Sequence, residues 1–175
     1  MMKRCALILA LLWSLPAAAL QVGDIPPDPL GVDFSGRPVH VSDYRGKIVI
    51  ATFWASWCAP CMSEMGRLED IQRQLGHSQL QIIGVNYRES AQAWRQFRTR
   101  FASVQLKLTF DPDASVVSCY QVDAVPTMLM IDRSGRIAHA HRGYTEATSV
   151  QGLVAELNAL LSTPPLPPER SRPPY

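Results

Sequence analysis

Residues Ile48–Trp54 form an unbroken run of β-branched, aromatic and small side chains, and after Ala55, Ser56 and Trp57 the chain reads Cys58-Ala59-Pro60-Cys61. Such a run predicts a buried strand. Beyond Cys61, apolar residues recur at Met65, Leu68, Ile71 and Leu75, the spacing of a helix with one buried stripe. Two cysteines therefore stand where a strand hands over to a helix. Cys58 falls at the helix N-terminus, where unpaired N–H groups and the helix dipole favour a thiolate. Pro60 is tolerated in the first turn because its missing N–H has no helical partner there. The spacing suits an exposed sulfur that attacks and a second, one turn on, that resolves. Half of a zinc site is the alternative, but no second Cys/His pair at ligand spacing accompanies it.

The stretch Phe53-Trp54-Ala55-Ser56-Trp57-Cys58-Ala59-Pro60-Cys61 resembles the active-site signature of the thioredoxin superfamily, and Val125-Pro126-Thr127 resembles its cis-proline loop. With Glu64 three residues after the second cysteine, the longer pattern is similar to the extracytoplasmic TlpA/ResA/DsbE-like thiol:disulfide oxidoreductases. The resemblance spans residues 23–161. It implies an α/β thioredoxin-like fold: a central mixed sheet flanked by helices, with an N-terminal β-hairpin and an inserted strand-helix unit.

Glu64 falls inside the apolar stripe of the helix, three residues from Cys61 and four from Leu68. A carboxylate there costs several kcal/mol, of the order set by burying an unpaired charge, unless it is paired or protonated. The wheel alone leaves two readings open: a proton donor and acceptor for Cys61, or a Glu that reaches solvent or pairs with Arg67. The resemblance implies the first. Thioredoxins proper carry a buried acid six residues before the first cysteine, a position held here by Thr52, so the acid must come from elsewhere. The proline often found two residues after this Glu is replaced by Gly66, which removes the reason to expect a helix bend.

The chain has 175 residues, 47% hydrophobic and 18% charged, enough for one globular core. Residues 1–19 combine Lys3 and Arg4, an apolar run too short for a good spanning helix, and Ala17-Ala18-Ala19, as in a cleaved signal peptide; an uncleaved anchor is the alternative. Removing it leaves 15 basic and 15 acidic residues, a balance that recruits neither nucleic acid nor an anionic membrane surface. Export places the cysteines in an oxidising compartment, the periplasm or its equivalent, where disulfides persist. The thioredoxin-like domain is expected over residues 20–162. The remaining 163–175, with six prolines in thirteen residues, reads as a disordered tail.

Around the signature, 30–34 and 38–41 read as a hairpin, 80–85 and 106–110 as strands, and the segment between Ser90 and Arg100 as an amphipathic helix marked by Ala91, Trp94, Phe97 and Phe101. Arg95, Arg98 and Arg100 read as a solvated face. Residues 113–120 suggest a short helix in which Cys119 is expected to be buried. A hairpin over 128–131 and 136–140 puts His139 and His141 on one face as exposed strand residues. A helix over 145–161 closes the fold with Val150, Leu153, Val154, Leu157 and Leu161 inward.

The resemblance implies an exported thiol:disulfide oxidoreductase acting through the Cys58–Cys61 dithiol/disulfide, with Glu64 and Pro126 as further catalytic residues. Trp57, Val125 and Thr127 would meet the substrate, Val125 through backbone groups that pair with an extended segment. No cofactor or metal is required. The expected partners of this monomer are protein thiols or disulfides and a membrane-embedded thiol donor. Ala59-Pro60 supplies no cation to stabilise the Cys58 thiolate, which favours a reductase, with apocytochrome c or a copper-assembly protein as candidate substrates. Thr127 stands where cytochrome-specific members often have Glu. A peroxidase of the superfamily would need Thr where Ala55 stands, and a copper carrier would use the two cysteines with a histidine.

Overall fold

The computed structural model describes residues 20–143 and 149–164. Residues 1–19, where a signal peptide is expected, residues 144–148 and residues 165–175 of the expected tail lie outside the described residues. In chain order the elements are β1 (Pro29–Val32), β2 (Pro38–His40), β3 (Ile48–Trp54), α1 (Ala59–Leu75), β4 (Leu80–Asn86), α2 (Ala91–Arg100), β5 (Lys107–Phe110), α3 (Ser115–Cys119), β6 (Thr127–Ile131), β7 (Ile137–Arg142) and α4 (Val150–Ser162). The strands make one mixed sheet in the order β2-β1-β5-β4-β3-β6-β7. This is the thioredoxin-like arrangement, with β3, the strand that leads into the cysteine pair, inside it.

Every residue of β3 and of β4 is buried, as expected of inner strands covered on both faces. β3 runs parallel to β4 and antiparallel to β6, with Phe53 opposite Thr127. The start of β6 therefore lies beside the end of β3, and the loops that follow β3 and precede β6 share one edge of the sheet. Gly84 in β4 permits this packing. A Cβ there would sit 2.9 Å from Leu108 Cδ2, 3.0 Å from Met65 Cε and 3.1 Å from Trp54 Nε1, so all three side chains would have to shift to admit it.

The inserted unit is α2 followed by β5, and it widens the sheet beyond β4. β5 pairs parallel to β4, and the β1–β2 hairpin is added outside it, Val32 opposite Phe110. Trp94 of α2 stacks between Phe34 and Phe110, while Phe97 and Phe101 lie against Trp54. Asp33 fastens the hairpin. Burial pushes its carboxyl up, but the Lys107 ammonium at 3.0 Å and the backbone N–H groups of Arg37 and Ser35 outweigh this and hold it at about 2.

Several expected core positions differ. On α1 the buried face is Cys61, Glu64, Met65, Leu68, Glu69 and Gln72, whereas Leu75 is exposed. The two further polar residues satisfy backbone groups. Glu69 accepts from the N–H groups of Gln105 and Leu106, and the Gln72 side chain bridges Gly76, Leu80 and Ile82. Ala91 is exposed at the first turn of α2. On α4, Leu153 and Leu157 are buried, but Val150 and Val154 are exposed because the inward stripe is turned towards Glu156, which binds two side chains of β7.

Cys119 is exposed, contrary to the burial expected of it. α3 is a five-residue helix held by Asp111, whose carboxylate accepts from the N–H groups of Val116 and Val117. Its inward places go to Val116 and Val117, with Tyr120 buried just beyond, leaving Cys119 facing solvent. Cys119→Ala is expected to change stability by less than about 0.5 kcal/mol, as usual for a surface site, and to leave turnover unchanged. Maleimide should label Cys119 in the folded oxidised protein. Turnover lost with the fold intact would reveal a third working thiol.

Candidate active site

Cys58 is the N-cap of α1, with φ −93° and ψ 97°, and its Sγ accepts the N–H of Cys61 at 3.2 Å. The chain can turn from strand to helix here because Cys58 N–H donates to Ala55 and the Cys58 carbonyl accepts the first helical N–H, from Met62. Pro60 occupies the first turn, where no carbonyl waits for its nitrogen. Cys58 and Cys61 are joined by a disulfide, Cα to Cα 5.2 Å. In this state neither sulfur is exposed in the sense expected from sequence. Cys58 retains 6% of its accessible surface and Cys61 1%, so the order of access is as expected but the margin is narrow. Trp57, beside them, is 67% exposed and is the large apolar side chain at the site's rim.

The Val125–Pro126 bond is cis. Because β6 starts at Thr127 beside Phe53, this loop and the cysteines occupy the same sheet edge. Val125 is half-buried. Thr127 is 5% exposed and its hydroxyl donates to Ala124 O at 2.8 Å, so its side chain shapes the loop from within and does not face solvent. The third wall comes from residues not singled out in the sequence. Glu89, just after β4, accepts from the backbone N–H and the hydroxyl of Ser56 and from the side-chain amide of Asn86. It ties the approach to Cys58 to the end of β4. Only its place before the Ser90 helix cap distinguishes Glu89 in the sequence, and that does not point to Ser56.

Glu64 lies one helical turn beyond Cys61 and is 1% exposed. Its Oε1 accepts the Thr52 hydroxyl at 2.7 Å, while Oε2 is buried without a hydrogen-bond partner. Thr52 thus stands where a thioredoxin has its acid and donates to the acid that α1 supplies instead. Burial pushes the Glu64 carboxyl above the usual range, against the Thr52 hydrogen bond and the positive charges of Arg67 and His141, which act in the opposite direction. A carboxyl so placed holds its proton to higher pH than an exposed one and can exchange a proton with an adjacent thiol.

His139 and His141 share a face of β7, but they are not exposed strand histidines. Side-chain exposure is 33% for His139 and 9% for His141. Both face Glu156 of α4, His141 Nε2 at 2.8 Å and His139 Nδ1 at 3.4 Å. That carboxylate, fifteen residues downstream of His141 on a different kind of element, left no local pattern from which the pairing could be read.

Residues 22–140 match the model of the AhpC/TSA family. The chain is 32% identical to the thiol-disulfide oxidoreductase ResA of Geobacillus kaustophilus (strain HTA426) over 119 residues, covering 68% of each chain. It is 27% identical to ResA of Bacillus subtilis (strain 168) over 125 residues, covering 71% of this chain and 69% of that one. Among solved structures, it is similar to a thiol:disulfide interchange protein DsbE from Chlorobium tepidum. The TM-score is 0.72 at 29% identity, covering 82% of this chain and 99% of the other. A protein disulfide isomerase from Bacteroides thetaiotaomicron gives a TM-score of 0.70 at 28% identity, covering 82% and 92%.

Proposed function

From the premise that this chain belongs to the AhpC/TSA family and is a thioredoxin-like thiol:disulfide oxidoreductase, we propose that it works outside the cytoplasm as a reductase of protein disulfides. The observation that carries this reading is Glu64, buried one turn from Cys61 with one oxygen on Thr52 and the other unpartnered. Reduction begins with a Cys58 thiolate attacking a substrate sulfur. The substrate's first sulfur leaves as a thiolate, and a mixed disulfide remains on Cys58. Cys61 then gives its proton to Glu64 and attacks Cys58 Sγ. The Cys58–Cys61 bond forms, the second substrate sulfur leaves with its electron pair, and the substrate gains two electrons and, from solvent, its protons.

Support for the direction comes from the motif: neither Ala59 nor Pro60 places a cation beside Cys58, so the thiolate is stabilised by the helix N-terminus alone among the motif's groups. A weakly stabilised thiolate makes the dithiol the better electron donor. Export rests on residues 1–19 with Lys3, Arg4 and Ala17-Ala18-Ala19; among the described residues no helix is long and apolar enough to cross a membrane. Trp57 and the Val125 backbone would receive an extended segment of the substrate, and a membrane-embedded thiol donor would re-reduce the Cys58–Cys61 bond. Apocytochrome c and copper-assembly proteins, whose paired cysteines must be reduced before they take haem or metal, are the substrate classes proposed.

The test is mixed-disulfide trapping in the native compartment with Cys61→Ser, which attacks but does not resolve. It should accumulate an adduct through Cys58 to a protein bearing a cysteine pair. In parallel, the reduced wild type should reduce a C-x-x-C peptide disulfide far faster than it consumes hydrogen peroxide. Peroxide consumption at the faster rate, without trapped protein, would make the chain a peroxidase instead.

A further inference from the structure

The loop 87–90 leads from the end of β4 to the cap of α2 and is fastened to both loops that flank the cysteine pair. On the cysteine side, Tyr87 N–H donates to Trp54 O at 2.7 Å, and Glu89 accepts from the N–H and the hydroxyl of Ser56. On the cis-proline side, the Tyr87 hydroxyl donates to Asp123 O at 3.3 Å. The residue between these two anchors is thereby fixed at the rim of the site, where an extended segment lying against Trp57 and Val125 would pass.

That residue is Arg88. Its backbone is left-handed, with φ 50°, a conformation that costs energy for a side chain with a Cβ and little for glycine. The side chain is exposed, and its guanidinium lies 5.1 Å from the centroid of the Tyr87 ring. A guanidinium held on a ring face keeps N–H groups free at its edge, and that fork matches the two oxygens of a carboxylate. Stacking also removes part of the side-chain freedom that binding would otherwise cost. Among the described residues Arg88 has no carboxylate partner, since its neighbour Glu89 is turned to Ser56 and Asn86. Asp123, ahead of the cis bond, and Arg142, opposite Thr127 on β7, are further exposed charges at this end of the sheet.

We propose, on the reading of this chain as a reductase of protein disulfides, that Arg88 is a specificity-determining residue: it pairs with a carboxylate side chain of the substrate protein and so selects extended segments that carry an acidic residue beside their cysteine pair. Trp57 gives the apolar contact and the Val125 backbone the strand-like pairing, neither of which reads charge. Arg88 decides which segment, and in which register, is presented to Cys58. The ion pair forms before the substrate sulfur is attacked and persists through the attack, so it acts on binding and leaves the course of the electrons unchanged.

The experiment uses the reduced full chain and synthetic C-x-x-C peptide disulfides that differ in one residue, Glu, Gln or Lys, at each of three positions on either side of the cysteine pair. For at least one position the Glu peptide should be reduced with kcat/KM about fivefold above its Gln counterpart, the size of a partly exposed ion pair. The difference should lie in KM and shrink at high salt. Arg88→Gln should erase this preference, and Arg88→Lys, which keeps the charge without the fork, should retain part of it. Equal kcat/KM for the Glu, Gln and Lys peptides at every position would overturn the role of Arg88 and leave the reductase reading standing. So would a Glu preference that survives Arg88→Gln and is lost in Arg142→Gln. A preference for Lys that Asp123→Asn removes would overturn the proposal in favour of basic segments. A wild type that reduces none of the peptides would remove the premise as well.

Discussion

Cys58→Ser is expected to abolish disulfide exchange, lowering the single-turnover rate with a peptide disulfide by at least about 10³-fold, the scale on which loss of a nucleophile acts in covalent catalysis. A serine hydroxyl at the head of α1 keeps the N-cap, since its oxygen can accept the Cys61 N–H now received by Sγ. The helix should therefore stand while the chemistry fails, because no thiolate remains to attack. The reduced wild type offers the companion measurement. Cys58, at the helix N-terminus and with the greater of two small exposures, should be alkylated by iodoacetamide much faster than Cys61, which lies beneath it. Equal alkylation rates would sink the assignment of attacking and resolving sulfur, whatever the serine variant did.

That assignment could be made from sequence because strand, cysteine pair and helix are contiguous. β3 is Ile48–Trp54, the run read from the sequence, because seven residues without a polar side chain other than Thr52 can only be hidden in the middle of a sheet. The hairpin, β4, α2 and β5 fall within a residue or two for the same local reasons of periodicity and punctuation. What stayed illegible depends on contacts between distant elements. Val150 and Val154 read as core until Glu156 turns α4 towards β7. Cys119 reads as buried until Asp111 fixes α3 with its two valines inward. Leu75 ends the apolar stripe, but Gln72 takes the last inward place to join α1 to β4. In each case a polar side chain satisfying another element's groups decided which apolar residue was left outside.

Glu64 shows the same logic from the opposite side, since here the odd position of a charge was itself the signal. Its burial is real and its one hydrogen bond, from Thr52, satisfies a single oxygen. Glu64→Gln keeps the shape and an acceptor for that hydroxyl while removing the titration. Exchange should slow by about 10²-fold, the contribution typical of a positioned general acid or base, and the pH dependence of the Cys61 step should simplify. Stability should move the other way. The folded-state pKa of Glu64 is raised, so between the ordinary carboxylate range and that raised value the folded protein binds more protons than the unfolded chain. The wild type therefore loses stability as pH rises through this window, whereas the Gln variant does not. In urea unfolding the two should be alike at pH 4, within about 1 kcal/mol, and at pH 7.5 the variant should equal or exceed the wild type. A variant that kept its rate and its pH–rate profile would leave Glu64 a buried oddity with no part in the chemistry. One that lost activity and stability together, equally at both pH values, would make it a packing residue.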